Sequence, residues 1–209
     1  MTMMFRTVKD SIVNNVLGPA EEGRFVTIGF QRQSKSANEV LDMSRLVQVY
    51  FAGGNFDKPG RKIELAHDIT YNIELTVSKA AEGDLSVINN PNASQAQISA
   101  AIMAFQEASD LADTSIDELI DIVYQILMDA QNIDLGMVAG EVSSRWVTGI
   151  KKNQPVPQGE YVILTASMSL TCRVAEEVSG EVGVAQTGKP YLTVVDIDGD
   201  NNEKTAIQV

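Results

Sequence analysis

Residues 63–77 read IELAHDITYNIELTV. The odd positions are Ile63, Leu65, His67, Ile69, Tyr71, Ile73, Leu75 and Val77, and the even ones are Glu64, Ala66, Asp68, Thr70, Asn72, Glu74 and Thr76. A β-strand turns alternate side chains to opposite faces, so this pattern gives one apolar face and one polar face. A helix would scatter the same side chains around its circumference. The alternation runs well beyond the roughly five or six residues of an ordinary strand. Residues 160–174, EYVILTASMSLTCRV, repeat the pattern in the other phase. Val162, Leu164, Ala166, Met168, Leu170, Cys172 and Val174 face one way, and Thr165, Ser167, Ser169, Thr171 and Arg173 the other. Two long half-buried strands are therefore expected at the centre of the fold. Their Thr-, Ser- and Glu-rich faces are left for solvent or for another polar surface.

The material between them is helical. Ser94 followed by Gln97 is a capping box that opens a helix with Ile98, Ile102 and Phe105 on one face. Thr114 followed by Asp117 predicts the start of a second, carrying Ile116, Leu119, Ile120, Val123, Ile126, Leu127 and Ala130. Its broad apolar stripe should lie across the oily face of the two strands. Residues 80–92 read as a loop. Residues 137–150 read as a returning strand with apolar contacts from Val138, Val142, Trp146, Val147 and Ile150, and residues 153–159, with Pro155 and Pro157, as a turn.

Towards the N-terminus, Phe5, Val8, Ile12 and Val16 share a helical face, and Gly18-Pro19 is the expected stop. Val26, Ile28 and Phe30 alternate as a short strand, residues 31–38 read as a loop, and residues 46–51, LVQVYF, as a strand covered on both faces. The glycine-rich stretch FAGGNFDKPGRK, residues 51–62, reads as a flexible connection. Residues 175–189 read as a linker or loose hairpin. Residues 191–197 and 204–209 flank DGDNN and predict a C-terminal β-hairpin. The expected class is α+β: a mainly antiparallel sheet with two long strands, helices packed on one face, and the hairpin. The expected division is a main domain over residues 1–176 and an extension over 177–209.

The chain has 209 residues, with 16 basic against 28 acidic ones and a net charge of −12. Nucleic-acid affinity draws on many Lys and Arg contacts, so a general phosphate-binding surface is disfavoured. Arg6, Lys9 and Asp10 interrupt the apolar core that a signal peptide needs, and no run approaches a membrane span. A protein that folds inside the cell, without a membrane partner, is expected.

Candidate chemistry is sparse. The single cysteine, Cys172, excludes an intrachain disulfide and reads as a small buried hydrophobe. The single histidine, His67, reads as structural rather than as a catalytic base, because no nucleophile constellation accompanies it. Asp196, Asp198, Asp200 and Glu203 resemble part of a calcium loop. However, Asn201 stands where the EF-hand needs glycine and Ile207 where it needs glutamate, so a turn is the expected reading. No metal, cofactor or catalytic residue is assigned. Lys58, Arg61 and Lys62 form a compact basic cluster, the candidate contact with an acidic patch on another subunit.

The layout resembles the tail terminator, or tail completion, proteins of long-tailed bacteriophages. The likeness is carried by LVQVYFAGGNF, RKIELAHDITYNIELTVS, TSIDELIDIVYQILMDAQ and QGEYVILTASMSLTCRV, together with the N-terminal helix, over roughly residues 4–174. The helix at 94–110 and the hairpin at 191–209 depart from the smaller members. The resemblance implies a non-enzymatic structural protein of the virion tail or neck, assembled in the host cytoplasm. It implies a homo-oligomer, expectedly a hexameric ring, that ends the tail tube and joins tail to head. Its implied partners are the tail tube protein, a neck or head-completion protein and, in a contractile tail, the sheath protein. The alternatives are another neck or tube subunit, or a small enzyme or ligand-binding module with a pocket between helix and sheet.

Overall fold

A computed structural model describes residues 4–22, 31–33, 45–56, 64–177, 191–192 and 207–208. Helix α1 (Met4–Ser11) widens into a π-helical turn over Ile12–Leu17 and returns to α geometry in α2 (Gly18–Glu22). Val8, Ile12 and Val16 are buried as their spacing predicts, and the widened turn adds Val13 and Leu17. The expected stop at Gly18-Pro19 is absent. Gly18 stays right-handed (φ −57°, ψ −59°), and Pro19, whose ring fixes φ near the helical value, follows the π-helical turn within α2.

Strand β1 (Gln31–Gln33) pairs in parallel with the start of β2 (Arg45–Asn55), where a loop was expected. The ladder there is made by backbone groups, so the polar side chains did not announce it. Leu46, Val47, Gln48 and Val49 of β2 are all buried, as expected for a strand covered on both faces. The strand runs on through the glycines that read as a flexible connection. A bulge lies between Phe51 and Gly53, Gly53 has φ 148°, and a Cβ on Gly54 would stand 2.9 Å from the Asp68 carbonyl oxygen. The glycines thus serve a bulged strand and a close crossing rather than a linker. The predicted strand at 26–30 lies outside the described residues.

Strand β3 (Glu64–Ala80) lies antiparallel to β2, with Arg45 opposite Val77 and Val49 opposite Ile73. The chain then passes through a 3₁₀ turn, Leu85–Asn89, capped by the Asp84 side chain, into helix α3 (Gln95–Met128). The capping box is complete: the Ser94 hydroxyl accepts from the Gln97 N–H, and the Gln97 amide oxygen accepts from the Ser94 N–H. The break expected near Thr114 is absent. No Gly or Pro interrupts residues 95–128, and the Thr114 hydroxyl donates back to the Asp110 carbonyl at 3.1 Å instead of capping a new helix. One helix of 34 residues, about 51 Å at 1.5 Å per residue, replaces the two expected.

Strand β4 (Val142–Lys152), the short β5 (Val156–Gln158) and the long β6 (Tyr161–Glu177) follow. The sheet order is β1-β2-β3-β6-β4, with β5 also on β6. Asp68 meets Arg173, Thr70 meets Thr171, and Ala81 donates to Glu160; the partners step in opposite directions, so β3 and β6 are antiparallel neighbours. The expected turn at 153–159 contains β5, closed onto β6 through Gly159 at φ 62°. Strand β4 begins later than expected. Val142 is buried and Val147 packs on the core, whereas Val138, Trp146 and Ile150 are exposed. Two bulges interrupt β4, and the Ser143 and Thr148 hydroxyls donate to β6 carbonyls there.

The expected α+β class, with a mainly antiparallel sheet and helices on one face, is what the chain forms. The apolar faces of β3 and β6 carry the main core, with Val47 and Val49 of β2, the α1 stripe and the second half of α3. The first half of α3 presents Ala101, Ala104, Ala108 and Ala112, and Ala104 and Ala108 pack with Leu85 and Val162 in a smaller cluster. The last turn of α3 is held by Arg145, whose guanidinium donates to the carbonyls of Leu127, Asp129 and Ile133 at 2.6, 2.6 and 2.8 Å. Among the described residues, no helix is long and apolar enough to cross a membrane.

The chain divides into two units, Met1–Lys58 with Ala66–Glu176, and Pro59–Leu65 with Glu177–Val209. In the second, β7 (Tyr191–Leu192) pairs antiparallel with β8 (Ile207–Gln208). Residues 175–177, expected to open the linker, continue β6 instead; the rest of the expected linker and the DGDNN turn lie outside the described residues.

The connection before β4 is pinned to α1 and the π-helical turn: the Ser11 hydroxyl donates to the Leu135 carbonyl at 2.9 Å and the Asn15 amide to the Gly136 carbonyl at 3.2 Å. Gly136 has φ 70°, and a Cβ there would stand 2.5 Å from that of Asn15. Gly136→Ala should therefore lower stability by about 2–3 kcal/mol in urea unfolding. Gly149→Ala, where a Cβ meets open space, should change it by under about 0.5 kcal/mol.

Candidate functional site

The polar face of the sheet is built by the period-two register itself. Down its centre, Asp68 and Arg173 form a forked ion pair, Nε to Oδ1 at 2.9 Å and Nη2 to Oδ2 at 3.1 Å. Beside it the Thr70 and Thr171 hydroxyls are 3.0 Å apart. Strand β2 adds Tyr50, whose hydroxyl donates to the Gln48 side chain at 2.8 Å; burial, then the nearby Glu74, raises the phenol's pKa. Strand β4 adds Trp146 opposite Thr171. The result is a face of hydroxyls and amides on which Gln48, Thr76, Ser78 and Thr171 are buried, with one indole 38% exposed. The Arg173 side chain is more than half exposed, so its ion pair is worth under about 1 kcal/mol.

On the helix side, Lys152 bridges Asp113 and Asp117 at 2.7 and 2.8 Å, which raises its pKa. Arg45 reaches Ser115 at 2.9 Å and Glu118 at 2.7 Å. A groove of about 270 Å³ opens between α1 and β2, lined by Phe5, Arg6, Lys9, Asp10, Val49, Tyr50 and Phe51. Its two phenyl rings stack at 4.5 Å. The sequence did not reveal it, because its walls are some 40 residues apart in the chain. The available signal was Arg6 and Lys9, one helical turn apart beside an apolar stripe.

Of the residues singled out by sequence, His67 is buried on the core side of β3, 4% exposed, with its ring 5.2 Å from Phe56. Cys172 is buried in register between Leu170 and Val174. The candidate contact residues Lys58, Arg61 and Lys62, and the acids Asp196, Asp198, Asp200 and Glu203, lie outside the described residues. Among the described residues, no group of three His, Cys, Asp or Glu side chains could hold a metal ion.

No protein-family model matches the chain, and no curated protein sequence matches it.

Burial pushes the Cys172 thiol up to about 12, against a smaller lowering by Arg145. A thiol whose pKa is higher folded than unfolded holds its proton longer in the native state. Its stabilising effect is complete below the unfolded value, near 8.5, and is lost as pH rises towards 12. Tyr71, buried and donating to the Phe5 carbonyl, shifts in the same direction. Stability measured by urea unfolding should therefore fall from pH 9 upwards, and Cys172→Val should flatten part of that fall. Thiol reagents should label Cys172 only on unfolding.

Proposed function

We propose that this chain is a structural, ring-forming protein of the tail-terminator type, which ends the tail tube of a long-tailed bacteriophage and joins it to the head or neck. The observation that supports the reading is the order of elements: N-terminal helix, strand, long strand, helix, strand, tight turn, long strand, assembled as a single sheet with β3 and β6 adjacent under α3. A terminator needs one surface that accepts the last tube ring and another that refuses a further tube subunit. Cyclic symmetry repeats a modest contact around the ring, so each interface can be weak alone. The hydroxyl-rich sheet face around Trp146 suits such reversible docking. The excess of acid suits a channel wall that does not grip passing DNA. The proposed partners are copies of the chain in a hexamer, the tail tube protein, a neck or head-completion protein and, in a contractile tail, the sheath protein, all within the virion.

Native mass spectrometry of the full chain, with and without tube protein, tests the reading. A hexamer, alone or on the tube template, together with tubes that stop growing in electron micrographs, is the expected result. A stable monomer that never binds tube protein overturns it. Filaments of indefinite length formed by the chain alone identify a tube subunit instead.

A further inference from the structure

We propose that copies of this chain meet head to tail, with the ridge Met103–Glu107–Leu111 on α3 of one copy seated in the α1–β2 groove of the next. The inference rests on the ring reading and assigns its contact.

Helix α3 carries six acidic residues and no basic one. Arg45 and Lys152 already engage Glu118, Asp113 and Asp117. Glu107 and Asp110 take part in no salt bridge among the described residues. Met103, Glu107 and Leu111 recur at intervals of four residues and so form one row along the helix. Met103 is 69% exposed and Leu111 57%, on a helix whose other face already packs on the chain's own core. Among the described residues, two large exposed apolar side chains thus stand beside two carboxylates that no salt bridge engages.

The groove offers the complement. Phe5, Val49 and Phe51 make an apolar floor, and Arg6 and Lys9, against the single carboxylate of Asp10, leave its rim net positive. The Arg6 guanidinium rests 5.8 Å over the Phe5 ring, at the mouth. At about 270 Å³ the groove falls below the roughly 300–1,000 Å³ of small-molecule sites, and suits inserted side chains rather than a cofactor. Met103 and Leu111 supply the apolar filling, and Glu107 and Asp110 meet Arg6 and Lys9. Ridge and groove are different surfaces of one chain, so a head-to-tail contact between them repeats from copy to copy and closes into a ring where the rotation allows.

Sedimentation velocity on the full chain across a concentration series tests this, with thermal melts confirming that each variant folds. Arg6→Glu, Glu107→Arg and Met103→Asp change exposed positions, and each should weaken self-association roughly tenfold or more. Added salt should weaken the wild-type chain. Combining Arg6→Glu with Glu107→Arg should restore most of the association. If the wild type forms rings and the single variants associate as it does, this contact is wrong while the ring reading stands. If the charge swap restores nothing, the Arg6–Glu107 pairing is wrong. A wild-type chain that stays monomeric at every concentration, with tube protein present or absent, overturns both.

Discussion

The pairing of β3 with β6 is the constraint on which the remaining structure depends. Each strand is 17 residues long, with apolar side chains alternating over residues 65–77 of β3 and 162–174 of β6, so a shift of one residue would turn Ile69, Ile73, Leu75 and Val77, or Leu164, Met168, Leu170 and Val174, off the core face and bring mostly polar neighbours onto it. At roughly 1.5–3 kcal/mol per buried aliphatic side chain, that penalty far exceeds what any surface contact could recover. The register therefore sets the positions of the other parts. It places Asp68 opposite Arg173 and Thr70 opposite Thr171 on one face, and gives α3 a continuous apolar bed on the other.

The helix answers the bed in two ways. Its second half buries Ile116, Leu119, Val123, Ile126 and Leu127 in the main core. Its first half buries alanines, which fill little volume and bring the backbone close to what they pack on. Arg145 then satisfies the carbonyls that the end of α3 leaves free, at the cost of partly desolvating a guanidinium, whose pKa burial lowers. The two sheet edges are less inviting than their length suggests. Strand β4 carries two bulges and exposed lysines; at the other edge β1 covers β2 only over Gln31–Gln33, and β2 runs on through a bulge and two glycines. Such devices discourage uncontrolled strand addition and leave side-chain surfaces as the routes to assembly.

The sequence made legible whatever periodicity controls. Odd positions 65–77 of β3 and even positions 162–174 of β6 are buried as their alternation required, and the Ser94 capping box closes as written. It misled where the outcome depends on distant partners. Thr114 looks like a cap, but its hydroxyl has a carbonyl one turn back and nothing nearby breaks the helix. Gly18-Pro19 looks like a stop, but the π-helical turn before it lets the chain carry on. Gly53 and Gly54 look like a linker, yet the crossing beside Asp68 requires them within a strand. The candidate site followed the same rule. The polar sheet face was readable from alternation, and burial of His67 and Cys172 was readable from their register. The α1–β2 groove was not, because only the folded sheet brings Phe51 against Phe5.

The most direct test of the β3–β6 register is a cross-link across it. Thr70 and Thr171 have hydroxyls 3.0 Å apart on the polar face of the sheet. In a Cys172→Ala chain carrying Thr70→Cys and Thr171→Cys, mild oxidation should form an intrachain disulfide between the two, seen by peptide mass mapping, without lowering the melting temperature. Two thiols that stay reduced under those conditions, or that pair only between chains, would contradict the fold and every surface built on it.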